Sequence, residues 1–245
     1  MTGWLAIFRR ELASYFATPV AVVFTVVFLV SAMAFTFYLG DFFVRDQADL
    51  QSFFFYHPWL FLFLIPAIAM RLWAEDRRSG TFELLLTLPV STFAVVFGKF
   101  LAAWVFTALA LALTFPIWIT VNYLGSPDNG VILASYLGSL LMAGSFLGLG
   151  AAFSALTRNQ VIAFVGTAAV SFLFMFSGLP LVQNILQGWM PDPLISLIAS
   201  FSFLSHFSGI MKGVIEGRDV LFFLSLTGFW LFVNTVIVDL KREAG

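Results

Sequence analysis

The chain has 245 residues, of which 61% are hydrophobic and only 10% charged, whereas soluble domains carry about 25% charged residues. This composition excludes an ordinary soluble protein, and the net charge of −1 gives no sign of nucleic-acid binding. Cysteine is absent, which excludes disulfides, thiol nucleophiles and cysteine-ligated metals.

Long apolar runs without alternation predict an all-α membrane protein rather than a barrel. Residues 1–18 come first. On a helical wheel Trp4, Leu5, Phe8, Leu12, Tyr15 and Phe16 share one side, and Arg9, Arg10, Ala13 and Ser14 fall mostly on the other. This pattern predicts an amphipathic helix in the interface plane, with its arginines towards anionic lipid headgroups. Glu11 lies inside the apolar arc, which calls either for a cation on another helix or for an imperfect arc.

Thr18-Pro19 reads as a cap followed by proline at the first helical position. Pro19–Leu39 is a first span of 21 uncharged residues, long enough for about 30 Å of hydrocarbon. Ala32-Met33-Ala34 does not mark signal-peptide cleavage, because the apolar run continues past it. Asp41–His57 returns to water and ends in an interfacial aromatic run, Phe53–Tyr56. A second span reaches Trp73, with a kink expected at Pro66.

Arg71–Ser91 carries six charges by Glu83 (Arg71, Glu75, Asp76, Arg77, Arg78 and Glu83). At about 2.5–3.5 kcal/mol per charged residue at mid-bilayer, it must be a loop at an aqueous face. Gly80 suits a helix C-terminus. Thr81 then caps a new short helix with Glu83 in its first turn. Phe82, Leu85 and Leu86 share one face, Leu84 and Leu88 another, and Pro89 ends it. A helix of about seven residues is unstable alone. It is either wedged between its own spans and a cytoplasmic partner or part of a hairpin lying on the membrane.

The third span lies in Thr92–Leu124, overlong, with Lys99 near its start and a kink at Pro116. The fourth, Val131–Leu156, holds Gly144 and Gly148 in small-xxx-small spacing, which allows close helix approach. Thr157–Gln160 is a turn, and Val161–Leu181 the fifth span. Residues 182–219 are too polar and too interrupted by proline to cross. They read as one or two helices dipping into the outer leaflet between spans five and six. Val220–Val238 is the sixth span. Residues 1–245 thus form a single membrane domain. Nine Lys or Arg fall on the side of the termini and three (Arg45, Lys212, Arg218) on the other. Both termini and the 71–91 loop are therefore expected in the cytoplasm.

No ionisable residue is expected mid-span, which argues against an ion-coupled transporter, a pump or a channel that moves ions itself. His57 and His206, the only histidines, lack an i, i+4 pair, so neither a metal site nor a cofactor site is expected. Both read as interfacial. Gly98-Lys99 does not complete a phosphate loop, because Phe93 and Phe100 stand where Gly and Ser or Thr are needed. No nucleophile-base set exists, so no catalytic residue is expected.

Glu75-Asp76-Arg77-Arg78-Ser79-Gly80-Thr81-Phe82-Glu83-Leu84-Leu85, followed by Leu88-Pro89-Val90-Ser91, resembles the E-x-x-x-G-T-x-E-x-L-x-x-x-P signature of type-2 ABC transporter permeases. Phe8–Leu12 with Tyr15-Phe16 and Thr18-Pro19 is similar to the amphipathic start of these permeases. Leu156–Gln160 is similar to their second cytoplasmic turn. Ser205-His206-Phe207 with Gly213 and Arg218-Asp219 is similar to the outer segment of the gliding-motility-type branch.

The resemblance implies six spans per permease, a second permease copy or homologue, and a cytoplasmic ABC ATPase dimer that holds the ATP and Mg. It implies that Thr81–Leu88 is the coupling helix, with Glu75, Gly80, Thr81, Phe82, Glu83, Leu85 and Leu86 as coupling residues. Arg158, Asn159 and Gln160 would make a second contact. Arg9, Arg10 and Glu11 would lie on the connecting helix, and His206 and Phe207 in an outer gate. It implies a bacterial inner-membrane protein and, in that branch, an auxiliary protein with a periplasmic domain. Two functions follow: half of an ATP-driven exporter, or a permease that passes ATPase motion to a periplasmic partner without moving a cargo.

Overall fold

The computed structural model describes residues 3–86 and 89–243. Among these it contains helices and no strand. Helix α1 (Gly3–Ala17) leads through Thr18 into α2 (Pro19–Ala34), whose last turn is a π-helix at Phe35–Leu39. Then follow α3 (Gln51–Phe55), α4 (His57–Ala69), α5 (Arg71–Ser79), α6 (Thr81–Leu86), α7 (Thr92–Ala112) and α8 (Phe115–Leu124). The rest of the chain is α9 (Asn129–Leu156), α10 (Gln160–Phe176), α11 (Pro180–Gln187), α12 (Asp192–Ala199), α13 (Phe203–Met211) and α14 (Gly217–Glu243).

Five runs are long and apolar enough to cross a bilayer: Pro19–Leu39, His57–Ser79, Thr92–Leu124, Asn129–Leu156 and Gly217–Glu243. Two further pairs are sharply bent, α10 with α11 by 79° and α12 with α13 by 59°. Counting each bent pair as one crossing gives seven. The expected fifth span, Val161–Leu181, does not run straight: the helix stops at Phe176 and the chain turns at Pro180. Residues 182–219 hold three helices instead of one or two, and α13 packs into the bundle through Phe203, Phe207 and Ile210.

Helix α9 is the axis of the bundle, packed by α4, α5, α7, α10, α13 and α14. Its sequence explains this. Gly144, Gly148 and a run of alanines and serines let neighbours come close, with Gly148 against Trp230 and Thr227 of α14. Ser145 reinforces the contact by donating to Phe223 O at 3.0 Å. The buried apolar residues form one contiguous core.

Three local features depart from the expectations or add to them. Thr18 has an extended backbone at the cap position, but its hydroxyl donates back to Tyr15 O at 3.2 Å and does not cap α2. The second span runs helically through Pro66, and its interruption falls at Met70. The cause sits on α9: Ser154 Oγ donates to Met70 O at 2.8 Å and accepts from the amides of Trp73 and Ala74 at 3.0 Å each. A hydroxyl inserted into a helical ladder is a known source of such breaks. Third, residues 71–79 are not a loop but a helix continuing the span, with Leu72, Trp73 and Ala74 buried.

Ser154→Ala deletes three hydrogen bonds and leaves buried backbone groups unpaired. It is expected to destabilise the protein by about 1–3 kcal/mol, seen as a lower thermal-unfolding midpoint in detergent.

Candidate charged hub at the α1 end of the bundle

Helix α1 packs along α7. Gly98 makes this possible, because a Cβ there would meet Trp4 O at 2.8 Å and Ile7 Cβ at 3.0 Å. Tyr15 stacks on Phe106 at 4.9 Å, and Trp4 meets Phe97 edge-on at 5.9 Å. Ile7 and Tyr15 are buried, while Phe16, placed by the wheel on the apolar side, is exposed.

One residue beyond Gly98, the Lys99 side chain is 2% exposed. Its ammonium lies 3.1 Å from Glu11 Oε1 on α1 and 2.6 Å from Asp76 Oδ2 on α5. The Asp76 contact is an ion pair without hydrogen-bond alignment. The ammonium also stands 5.2 Å from the ring centre of Trp73, within cation–π range. Arg10 shares Glu11 Oε1 at 2.7 Å. Glu11 thus has the cation on another helix that its place in the apolar arc called for. Three helices meet at one buried charge, beside a cleft of about 290 Å³ lined in part by Ser14, Thr18, Arg71 and Glu75.

The signature residues are arranged around this hub. Glu75 forms a two-pronged pair with Arg71, at 2.7 and 2.8 Å. Gly80 ends α5 in the left-handed conformation, φ 76° and ψ 6°, which a side chain would strain. Thr81 is exposed, is the first residue of α6 and donates its hydroxyl to Asp76 Oδ1 at 2.9 Å. Phe82 and Leu85 are buried within the chain, and Phe82 meets Trp73 edge-on at 5.8 Å. Glu83 points outward, exposed. The side chains of Leu84 and Leu86, and all of Thr87 and Leu88, lie outside the described residues.

The turn after α9 stands at the same end. Arg77 of α5 donates to Ala155 O at 3.1 Å. Asn159 is committed to capping α10 by accepting from Val161 N at 2.9 Å, Gln160 opens that helix, and Arg158 is exposed. Arg9 and Arg10 are exposed on α1.

Both histidines are buried within the chain. His57 Nδ1 is 2.8 Å from Ser139 Oγ, amid Phe28, Phe53, Phe54 and Phe61. His206 is distant in sequence from the hub and joins α13 to the start of α14. Its Nδ1 lies 2.6 Å from Asp219 Oδ1, its Nε2 lies 2.9 Å from Ser200 O, and its ring stacks on Phe222 at 4.0 Å. Phe207 is buried beside Gly138. Among the described residues no group of three metal-type ligands exists.

Lys99, Asp76, Trp73 and Ser154 were not singled out as site residues by sequence reasoning. The available signal was a pair of misplaced opposite charges, Glu11 in an apolar arc and Lys99 in an apolar run.

An all-helical chain with five to seven membrane crossings and a charged hub at one end is a multi-pass membrane protein. The sequence profile described as ABC-2 family transporter protein matches residues 50–238, and the chain belongs to that family. No curated protein matches the chain. Membership makes it the membrane-spanning subunit of an ABC transporter, a permease component and not a nucleotide-binding domain. It also implies an ABC ATPase as partner and typically a dimer. The matched residues include Lys99 and Asp76 but begin after α1 and α2.

Removing the ammonium leaves two carboxylates facing each other. Lys99→Met is expected to destabilise by about 3–5 kcal/mol, the cost of breaking a buried pair from one side. Adding Glu11→Gln and Asp76→Asn should recover much of that loss. Comparing the unfolding midpoints of the single and the triple variant in detergent measures it.

Proposed function

We propose that this permease is worked by a separate cytoplasmic ABC ATPase dimer through α6, and that the Lys99 hub passes the motion inward. The observation that carries this is the continuous line Phe82, Trp73, Lys99, Glu11. Motion of α6 reaches the Trp73 ring, and the ammonium over that ring is bound to α1. A push on α6 therefore moves α5, α7 and α1 together. With Phe82 and Leu85 turned inward, Thr81 and Glu83 are left as the face for the ATPase. Arg158 and Gln160 form the second, smaller contact, with Asn159 holding the turn.

In this reading the ATP and Mg stay in the ATPase. Two permease copies, or this chain and a homologue, face each other in a bacterial inner membrane with both termini cytoplasmic. Each would have six crossings, with α11–α13 folded back on the outer side. His206 and Phe207 then belong to the outer gate, where the buried His206–Asp219 pair ties α13 to α14. The single permease domain covers residues 1–245, with α1 as its connecting helix. The assembled complex moves a substrate out of the membrane. Transmission of motion to a periplasmic auxiliary protein, without a cargo, is the second reading. It is favoured by the resemblance of residues 205–219 to the gliding-motility-type branch.

Glu83 is exposed and makes no ion pair among the described residues. Glu83→Lys is expected to leave membrane insertion intact and to weaken ATPase co-purification about tenfold, or about 1.4 kcal/mol. Wild-type capture together with wild-type ATP turnover in the variant complex would refute the coupling role of α6.

A further inference from the structure

The end of α9 gathers more positive charge than the helix itself needs. Arg77 Nη1 donates to Ala155 O at 3.1 Å; Lys241 Nζ donates to the same oxygen at 2.6 Å and to Leu156 O at 2.9 Å. Sharing one acceptor holds the two cations within about 6 Å of each other, a strongly repulsive spacing near a protein surface. Arg158, in the turn that follows, adds a third positive charge that acts on both.

A helix C-terminus offers about half a negative charge, far short of three. The neighbouring carboxylates do not make up the difference. Glu75 is held by Arg71 and Asp76 by Lys99. Asp239 and Glu243 each stand two residues from Lys241, a spacing that turns side chains to different faces of a helix. Among the described residues none of the three cations has an acidic partner.

The surroundings indicate what supplies the missing charge. Leu156 and Leu240, next to the carbonyls and to Lys241, are more than half exposed, as are Val161 and Ile162 just after Arg158. A cluster of cations bordered by bare aliphatic side chains, at the end of a membrane bundle, matches a headgroup joined to hydrocarbon. An acidic protein side chain would answer the charges alone.

We propose that Arg77, Lys241 and Arg158 form a binding site for an anionic phospholipid. The phosphate lies between Arg77 and Lys241 with Arg158 at the rim, and the acyl chains lie on Leu156, Leu240, Val161 and Ile162. Arg158 is shared with the proposed second ATPase contact, but lipid binding is read on the permease without the ATPase, so this site stands or falls separately from that contact.

Native mass spectrometry of the full chain in detergent tests this, with dioleoyl-phosphatidylglycerol, dioleoyl-phosphatidylcholine and inorganic phosphate as probes. The glycerol lipid should bind at least tenfold more tightly than the choline lipid. Arg158 makes no hydrogen bond among the described residues, so Arg158→Gln removes charge without touching the end of α9. It should weaken the glycerol lipid about fivefold, in line with about one cation's worth of attraction. Lys241→Met with Arg158→Gln should weaken it more than tenfold and leave the choline lipid unchanged, while Lys241→Arg keeps the preference.

Equal retention of the two lipids, or wild-type lipid preference in the double variant, would overturn the proposal. So would inorganic phosphate displacing the lipid at equal concentration, which would make this a free-phosphate site. A double variant that keeps its lipid preference but loses a co-purifying acidic protein would likewise assign the cations to that protein.

Discussion

A lysine ammonium with almost no contact with water is tolerated only where opposite charge surrounds it, and this requirement organises one end of the molecule. Desolvating such an ion costs several kcal/mol even after relaxation. Lys99 recovers that cost from Glu11, Asp76 and the face of Trp73. None of the three is on its own helix, so the charge is satisfied only when α1, α5 and α7 are all in place. The pairs therefore specify an arrangement as much as they stabilise one. They also give a permease of this family a stiff joint at the end where its signature segment lies.

That joint is connected to the bundle axis in a complementary way. Ser154 replaces backbone partners at the break between α4 and α5, and Arg77 reaches the end of α9 from the same short helix. Helix α5 is thus tied to α1 by charge and to α9 by hydrogen bonds, while α6 hangs from it through the left-handed Gly80. The short helix proposed to meet the ATPase follows a left-handed turn, and the helix behind it is clamped at both ends.

Much of this was legible in the chain. Apolar runs bounded by charges located the long helices, the 21-residue first span included, because a bilayer enforces length and uniform apolarity. The left-handed turn at Gly80 followed from one glycine between two helical patterns. Harder to read was anything made by side chains far apart in sequence. The Met70 break depends on a serine more than 80 residues away, so Pro66 drew the attention instead. Lys99 looked like an end-of-span residue because hydropathy cannot see that α1 folds over it. The bends at Leu179-Pro180 and Ser200–Ser202 lie in sequence of mixed polarity, where length and composition do not separate a crossing from a dip.

The partnership of α9 and α14 has a consequence for how the protein is made. The central helix is finished long before its most intimate neighbour leaves the ribosome, some sixty residues later. Until then Gly148 and the hydroxyl of Ser145 lack their partners on α14, and Gly144 has only Trp104 of α7 beside it. The small-residue groove of α9 that α14 fills is thus still open when α9 itself is complete.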